Sequence, residues 1–223
     1  MLRSMKKLMN YTMHAHDDSI GSIKDLYFDD HKWVIRYLVI DTGAWLLGRR
    51  VLISPESITG EPDWIAKDVP VDLTKEQIEN SPPVDEKKPI SRQKELELVS
   101  YYRWPAYWSG TVEPISAIGT SHPEMAPPLV AETAQEKKVP KDEEEINLRS
   151  FNEVCGYHVS ALDGEIGHVH DMIMDMKNRK VIYAVIDTRN WLPAKKVLVS
   201  LLWMKQVDWA QRKVEVGLSR EEI

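Results

Sequence analysis

The stretch WVIRYLVIDTGAWLLGRRVLIS, at Trp33–Ser54, decides the fold, because a close counterpart, RKVIYAVIDTRNWLPAKKVLVS, follows at Arg179–Ser200. The two stretches align at an offset of 146 residues, which is the difference between Asp187 and Asp41. Self-similarity at a fixed spacing sets the size and number of structural units. The sequence therefore predicts an internal duplication, with two small units joined by a long connection.

The strands of each unit are predicted from alternation and turn signals. Both alternating faces of Trp33–Asp41 are apolar apart from Arg36, as expected for a strand in the middle of a sheet. In the second copy, Asp163-Gly164 is a hairpin dipeptide and predicts an antiparallel pair. Several short strands separated by turns indicate a small closed barrel or a strongly bent sheet.

Helix signals follow each copy. Capping boxes at Thr74–Gln77 and Ser219–Glu222 predict two helix starts. The segment Ser91–Trp108 predicts a short helix that Pro105 stops, and it carries a cluster of tyrosines and tryptophans. We therefore expect a mainly β protein with short helices after the first unit. Its expected segments are a first barrel at 1–80, a helical and aromatic extension at 81–108, a flexible linker at 109–147 and a second barrel at 148–223.

The composition of the chain argues against several classes of function. The net charge of −6 argues against the broad positive field that non-specific binding of nucleic acid or anionic lipid requires. The single cysteine, Cys155, excludes an internal disulfide framework and is interpreted as a packed residue rather than a nucleophile. Neither a signal peptide nor an apolar run of about 18 residues is found, which predicts a cytoplasmic protein without a membrane span.

Catalysis has no positive support in the sequence. No nucleophile motif, phosphate-binding loop or dinucleotide-binding motif occurs. The histidines near His14 and His168 do not repeat between the copies, which favours turn and strand-surface roles over metal binding. The aspartates that do repeat are interpreted as structural, and they are the pairs Asp25 and Asp171, Asp29 and Asp175, and Asp41 and Asp187. We expect no enzymatic activity, cofactor or metal.

Two sets of residues are candidates for binding a partner. Each copy has a loop with a tryptophan followed by two cations, which suits base stacking and phosphate contact. It equally suits an ordinary hairpin whose tryptophan covers the barrel. The aromatic cluster either contacts a partner or packs on a barrel, in this chain or in a homodimer. The candidates are Trp45, Arg49, Arg50, Trp191, Lys195, Lys196, Tyr101, Tyr102, Trp104, Tyr107 and Trp108.

These motifs resemble the PRC-barrel family. In the first copy the resemblance is carried by IGSIKDLYFDD, WVIRYLVIDTG, LLGRRVLIS, LTKEQI and YYRWPAYW, and in the second by EIGHVHDMIMD, VIYAVIDT and KKVLVS. It implies two PRC-type barrels in a stand-alone bacterial protein, with a barrel like that of the photosynthetic reaction-centre H subunit and of a ribosome maturation factor. The sequence shows neither the membrane helix of that H subunit nor the other domain of that factor. No shared catalytic residues are implied.

Three functions are compatible with these observations. A non-enzymatic interaction or adaptor protein, which binds a protein complex or associates with itself, is expected first. One alternative is association with RNA or the ribosome through the loops that carry tryptophan and cations. The other alternative is peripheral docking to a photosynthetic or other membrane electron-transfer complex.

Overall fold

The computed structural model describes residues 1–84, 90–108, 148–188 and 195–223. The predicted linker at 109–147 and the candidate Trp191 lie outside these ranges. The chain forms two compact units, one of Met1–Trp104 with Ile146–Ile223 and one of Pro105–Glu145. In the described part of the latter, Tyr107 and Trp108 contact edge to face, with ring centroids 4.8 Å apart. Both sheets belong to the former unit.

The first half of the chain forms short elements in close succession. In order they are β1 Leu2–Ser4, α1 Met5–Leu8, β2 Thr12–His14, β3 Ser19–Asp29, β4 Ile35–Asp41, β5 Arg50–Ile53, β6 Asp68–Pro70, α2 Lys75–Glu79 and α3 Arg92–Tyr102. Short 3-10 turns occupy Gly43–Leu46 and Pro55–Ser57. The capping box predicted at Thr74 is formed, and α2 begins there.

The second half repeats the order of the strands with one extra strand, and among its described residues no helix follows the last strand. Its elements are β7 Leu148–Ser150, α4 Phe151–Val154, β8 His158–Ala161, β9 Gly164–Asp175, β10 Lys180–Asp187, β11 Lys196–Ser200, a 3-10 turn at Leu201–Trp203, β12 Met204–Asp208 and β13 Lys213–Val216. The helix predicted at Ser219 is wrong, because residues 220–222 form a turn. The Ser219 hydroxyl donates to Glu222 at 2.8 Å instead of accepting from a first-turn amide.

The two sheets have corresponding strand orders. The first sheet runs β5-β4-β3-β2-β6, and the second runs β11-β10-β9-β8-β13-β12. β4 and β10 lie between antiparallel neighbours, which confirms that the most apolar segments are inner strands. Within the described residues each sheet is an open path of paired strands, so the fold is mainly β and the expected closure into a barrel is not confirmed.

The two halves exchange their first strands. β1 pairs antiparallel with β9 of the second sheet, and β7 pairs antiparallel with β3 of the first sheet. The registers correspond, since Leu2 lies opposite Asp175 and Leu148 lies opposite Asp29. Each sheet thus takes one strand from the other half of the chain, across the domain boundaries predicted from the sequence.

A pair of repeated aspartates holds the exchanged strands. The Ser4 hydroxyl donates to Asp171 at 2.5 Å, and the Ser150 hydroxyl donates to Asp25 at the same distance. Each carboxylate also accepts a main-chain N–H two residues beyond the serine, at 3.0 Å in both cases. Burial raises the pKa of Asp25, although the hydrogen bonds from Ser150 and residue 152 act in the opposite direction. These contacts match the structural use predicted for this pair.

One continuous cluster of buried side chains joins the inner faces of both sheets. It includes Ile35 and Leu38 of β4 and Val181 and Ala184 of β10. Main-chain bonds cross the same junction, because Ile35 N donates to Arg179 O at 2.9 Å and Val181 N donates to Trp33 O at 2.7 Å. The halves are therefore joined by backbone pairing as well as by a shared core.

Candidate docking surface

The outer face of the first sheet is covered by the aromatic extension. Side chains alternate along a strand, so Tyr37, Val39 and Leu52 point away from the core shared by the two sheets. They form a second buried cluster with Leu98 of α3 and with Trp104, which follows that helix. Leu52 is only 3% exposed. The helix and the tryptophan that follows it therefore shield the outer face of the sheet.

Hydrogen bonds hold the aromatic extension on the outer face of the first sheet. The Trp104 indole N–H donates to the Ser57 hydroxyl at 2.7 Å, and the Tyr101 hydroxyl donates to Gln77 O at 2.7 Å. Tyr102 stacks on Trp104 with ring centroids 4.2 Å apart. Packing within the chain was one of the two interpretations of the aromatic cluster, and these three residues make such contacts.

The second sheet has a corresponding outer face with a different environment. At the offset of 146 residues, Tyr183, Val185 and Leu198 take the places of Tyr37, Val39 and Leu52. Leu198 lies opposite Val185 in the strand pairing, just as Leu52 lies opposite Val39. Leu198 is nevertheless 58% exposed. In the described part of the chain, no helix corresponding to α3 covers this sheet.

At the position that lies beside the covered face in the first half, the second half has a tryptophan in place of a small polar residue. Trp203 corresponds to Ser57, the residue that binds Trp104, and its side chain is 48% exposed. The adjacent Leu202 is 91% exposed and corresponds to Glu56. We call Tyr183, Val185, Leu198 and Trp203 the uncovered face. Exposed apolar patches of this kind mark interaction sites on soluble proteins.

The tryptophan of the first loop is used inside the fold. The Trp45 indole N–H donates to Ile20 O at 3.0 Å, and its ring packs against the shared core. The Lys75 ammonium lies 4.8 Å from the ring centroid. These contacts match the interpretation of this loop as a hairpin whose tryptophan covers the sheet.

The cations of the two loops lie in different surroundings. The Arg49 guanidinium donates to Glu79 O at 2.9 Å and to the Ser81 hydroxyl at 3.0 Å, whereas Arg50 pairs opposite Asp41 in the strand ladder. In the second sheet Lys195 is exposed, and the Lys196 ammonium lies 2.8 Å from the nearer ring nitrogen of His170. The hydrogen bonds of Arg49 thus connect the loop to the end of α2.

Comparison with known families assigns one part of the chain. Residues 147–222 match the model of the PRC-barrel domain. This part of the chain belongs to the PRC-barrel family. The PRC-barrel domain includes β8–β13, and the whole uncovered face therefore lies within it. No curated protein matches the chain. Among the described residues, no helix is both long and apolar enough to cross a membrane.

The uncovered face of the PRC-barrel domain is not among the sequence-based candidates, although the sequence contains a signal for it. The segment VLISPES at 51–57 corresponds to VLVSLLW at 197–203, so two polar residues are replaced by leucine and tryptophan. Comparing the copies for outward-facing apolar differences would have identified Leu202 and Trp203.

Proposed function

We propose that the protein is a non-enzymatic interaction module made of two PRC-type units that arose by internal duplication. The corresponding strand orders and the reciprocal exchange of β1 and β7 support the duplication. Only residues 147–222 match the family model, so the first unit is assigned to the same type from its strand order and its repeat residues.

The uncovered face is the proposed docking site, and its occupant is a helix with an aromatic anchor from a partner protein. The first sheet supports this choice, because the corresponding face there is covered by α3 with Leu98 and Trp104. An amphipathic helix lying in an apolar groove is a common recognition mode. The exposure of Leu198 is the single observation that carries the proposal.

The energetics favour Trp203 as the central contact. Tryptophan and tyrosine are enriched among the few residues that dominate binding energy, and their truncation costs about 2 kcal/mol or more. Trp203 replaces the serine that accepts the Trp104 bond in the first half, so a partner aromatic would stack on this side chain rather than donate a hydrogen bond to it.

Photocrosslinking in the host cell tests the proposal. A photoreactive phenylalanine analogue is placed at Leu198, and a matched control carries it at Leu47, which is 98% exposed in the loop between β4 and β5. We expect a discrete adduct from position 198 that is absent from position 47. Mass spectrometry should locate the crosslink in a helical segment of the partner that carries an aromatic residue.

Two other adducts would contradict the proposed occupant. A crosslink between two copies of this chain would identify self-association, and a crosslink to residues 109–147 of the same chain would show that the protein covers its own face. The variant Leu198→Lys should abolish a genuine partner adduct formed from position 203, because it places a charge in an apolar contact. An undiminished adduct would place the docking site elsewhere.

A further inference from the structure

A pocket of about 450 Å³ lies between the first sheet and the turn that follows β9. Its volume is within the range of roughly 300–1,000 Å³ for small-molecule sites. Ile23, Leu26, Leu38 and Trp64 contribute to its walls from the first half of the chain. Met174 and Arg179 line it from the second half. The pocket is thus mainly apolar and is assembled from both halves.

The corresponding place in the second sheet contains a tryptophan. At the offset of 146 residues Arg179 corresponds to Trp33, and Met174 corresponds to Phe28. Trp33 stacks on Phe28 with ring centroids 5.2 Å apart and an interplanar angle of 16°. The ring centroid of Trp33 also lies 6.2 Å from that of Trp209, the counterpart of Trp64. An indole from the first half therefore enters the core of the second.

The reciprocal side chain does not fill the first pocket. The Arg179 guanidinium forms an ion pair with Glu56, a half-exposed carboxylate. Met174 supplies a flexible chain where Phe28 supplies a ring. Replacing Trp33 and Phe28 by arginine and methionine removes two aromatic rings at the corresponding positions. This accounts for an apolar space beside Trp64.

One face of Trp64 is already occupied. The Arg3 guanidinium lies 3.9 Å from the centroid of the Trp64 ring, and Arg149 lies 4.3 Å from that of Trp209. In the second sheet Trp209 also has Trp33 as a ring neighbour, whereas Trp64 lines the pocket. The arrangement offers an aromatic surface to a ligand that takes the place of the Trp33 indole.

We infer that this pocket binds a small planar aromatic molecule of about the size of an indole. Stacking and apolar burial supply the affinity, since aromatic pairs are worth about 0.5–1.5 kcal/mol beyond the area that they bury. Glu61 and Lys177 at the lining offer polar groups of both signs for substituents on the ring. The site lies on the inner side of the first sheet and is separate from the uncovered face.

Titration of the full chain with indole, followed by calorimetry and by ligand-observed NMR, tests the inference. Wild type should bind a single equivalent. Arg179→Trp should supply the missing ring and weaken indole binding about tenfold or more. The matched control Leu47→Trp adds a tryptophan at an exposed position outside the pocket lining and should bind indole as wild type does.

A second pair of variants keeps the test decisive. Met174→Phe is the smaller filling change and should also weaken indole binding. It provides the test if Arg179→Trp fails to fold. Trp33→Ala should open the corresponding place in the second sheet and add a second indole site. Absence of saturable binding to wild type would overturn the inference, and so would binding that both filling variants leave unchanged.

Discussion

The two sheets share a scaffold and differ in opposite ways on their two sides. The first sheet has its outer face covered by α3 and Trp104, and an apolar pocket on its inner side. The second sheet leaves Leu198 and Trp203 exposed outside, and receives Trp33 inside. Positions that agree between the two halves maintain their common strand order, and positions that differ are free to acquire function.

The largest expected effect concerns a position at which the copies agree. Gly21 and Gly167 have φ values of +139° and +144°, and an added Cβ would lie about 2 Å from the carbonyl oxygens of Asp41 and Asp187. Gly21→Ala and Gly167→Ala should each lower the free energy of unfolding by about 4 kcal/mol or more, because backbone strain and overpacking combine. Urea denaturation measures the loss.

Gly43→Ala is the matched control for this pair. Gly43 also has a positive φ, of +63°, but no atom lies within 4 Å of a built Cβ. It should lose only about 1 kcal/mol, the usual cost of a left-handed alanine. A similar loss in all three variants would show that the close approach of the strands has no energetic weight.

The next effect separates the two outer faces. Trp104→Ala should destabilise the protein by about 3 kcal/mol or more, since it removes a buried ring and leaves the Ser57 hydroxyl without its donor. Trp203→Ala should change stability by about 0.5 kcal/mol at most, because half of that side chain is already exposed. Thermal unfolding of the two variants checks the comparison. Equal losses would remove the distinction between a covered and an uncovered face.

A smaller effect tests the symmetry of the strand exchange. Ser4→Ala and Ser150→Ala should each cost about 1–2 kcal/mol, since each serine donates to an aspartate and also accepts an amide of the following helix. Hydrogen exchange should show faster opening of β1 in the first variant and of β7 in the second. Opening of both strands in both variants would indicate that the exchange is one cooperative unit.

The smallest effect is the pH dependence of one member of the aspartate pair. Burial raises the pKa of Asp25 above its ordinary 3.8, so the folded state holds this proton more tightly than the unfolded state. The contribution of this carboxyl to stability is therefore greatest below pH 3.8 and falls as the pH rises through the raised pKa. Asp25→Asn should lose less stability than wild type across that window. Parallel curves in urea titrations would contradict it.

The central strands were predictable because their apolar character is local. The apolar character of both faces of Trp33–Asp41 and of its counterpart predicted β4 and β10, and the capping box at Thr74 predicted α2. The capping box at Ser219 predicted a helix that does not form, because a serine hydroxyl can either donate to a carboxylate or accept from an amide. Sequence alone does not decide between these two bonds.

The strand exchange lay beyond sequence reasoning for a physical reason. β1 and β7 both read Leu-Arg-Ser, a segment too short for periodicity to indicate a strand or its partner. Each tripeptide pairs with a strand that is far away in the sequence. Leu2, for example, lies opposite Asp175. The pocket could not be predicted for the same reason, since Arg179 and Trp64 line it together only once the two halves have paired.

Hydroxyl-radical footprinting of Trp203 tests the central claim most directly. Oxidation is compared between the purified protein and the complex isolated gently from its host, with Leu47 as the exposed reference and Trp104 as the buried one. Trp203 should be oxidised in the purified protein and protected about fivefold or more in the complex, because docked cores exclude water. Equal oxidation of Trp203 in both samples, with Leu47 unchanged, would contradict docking at this face.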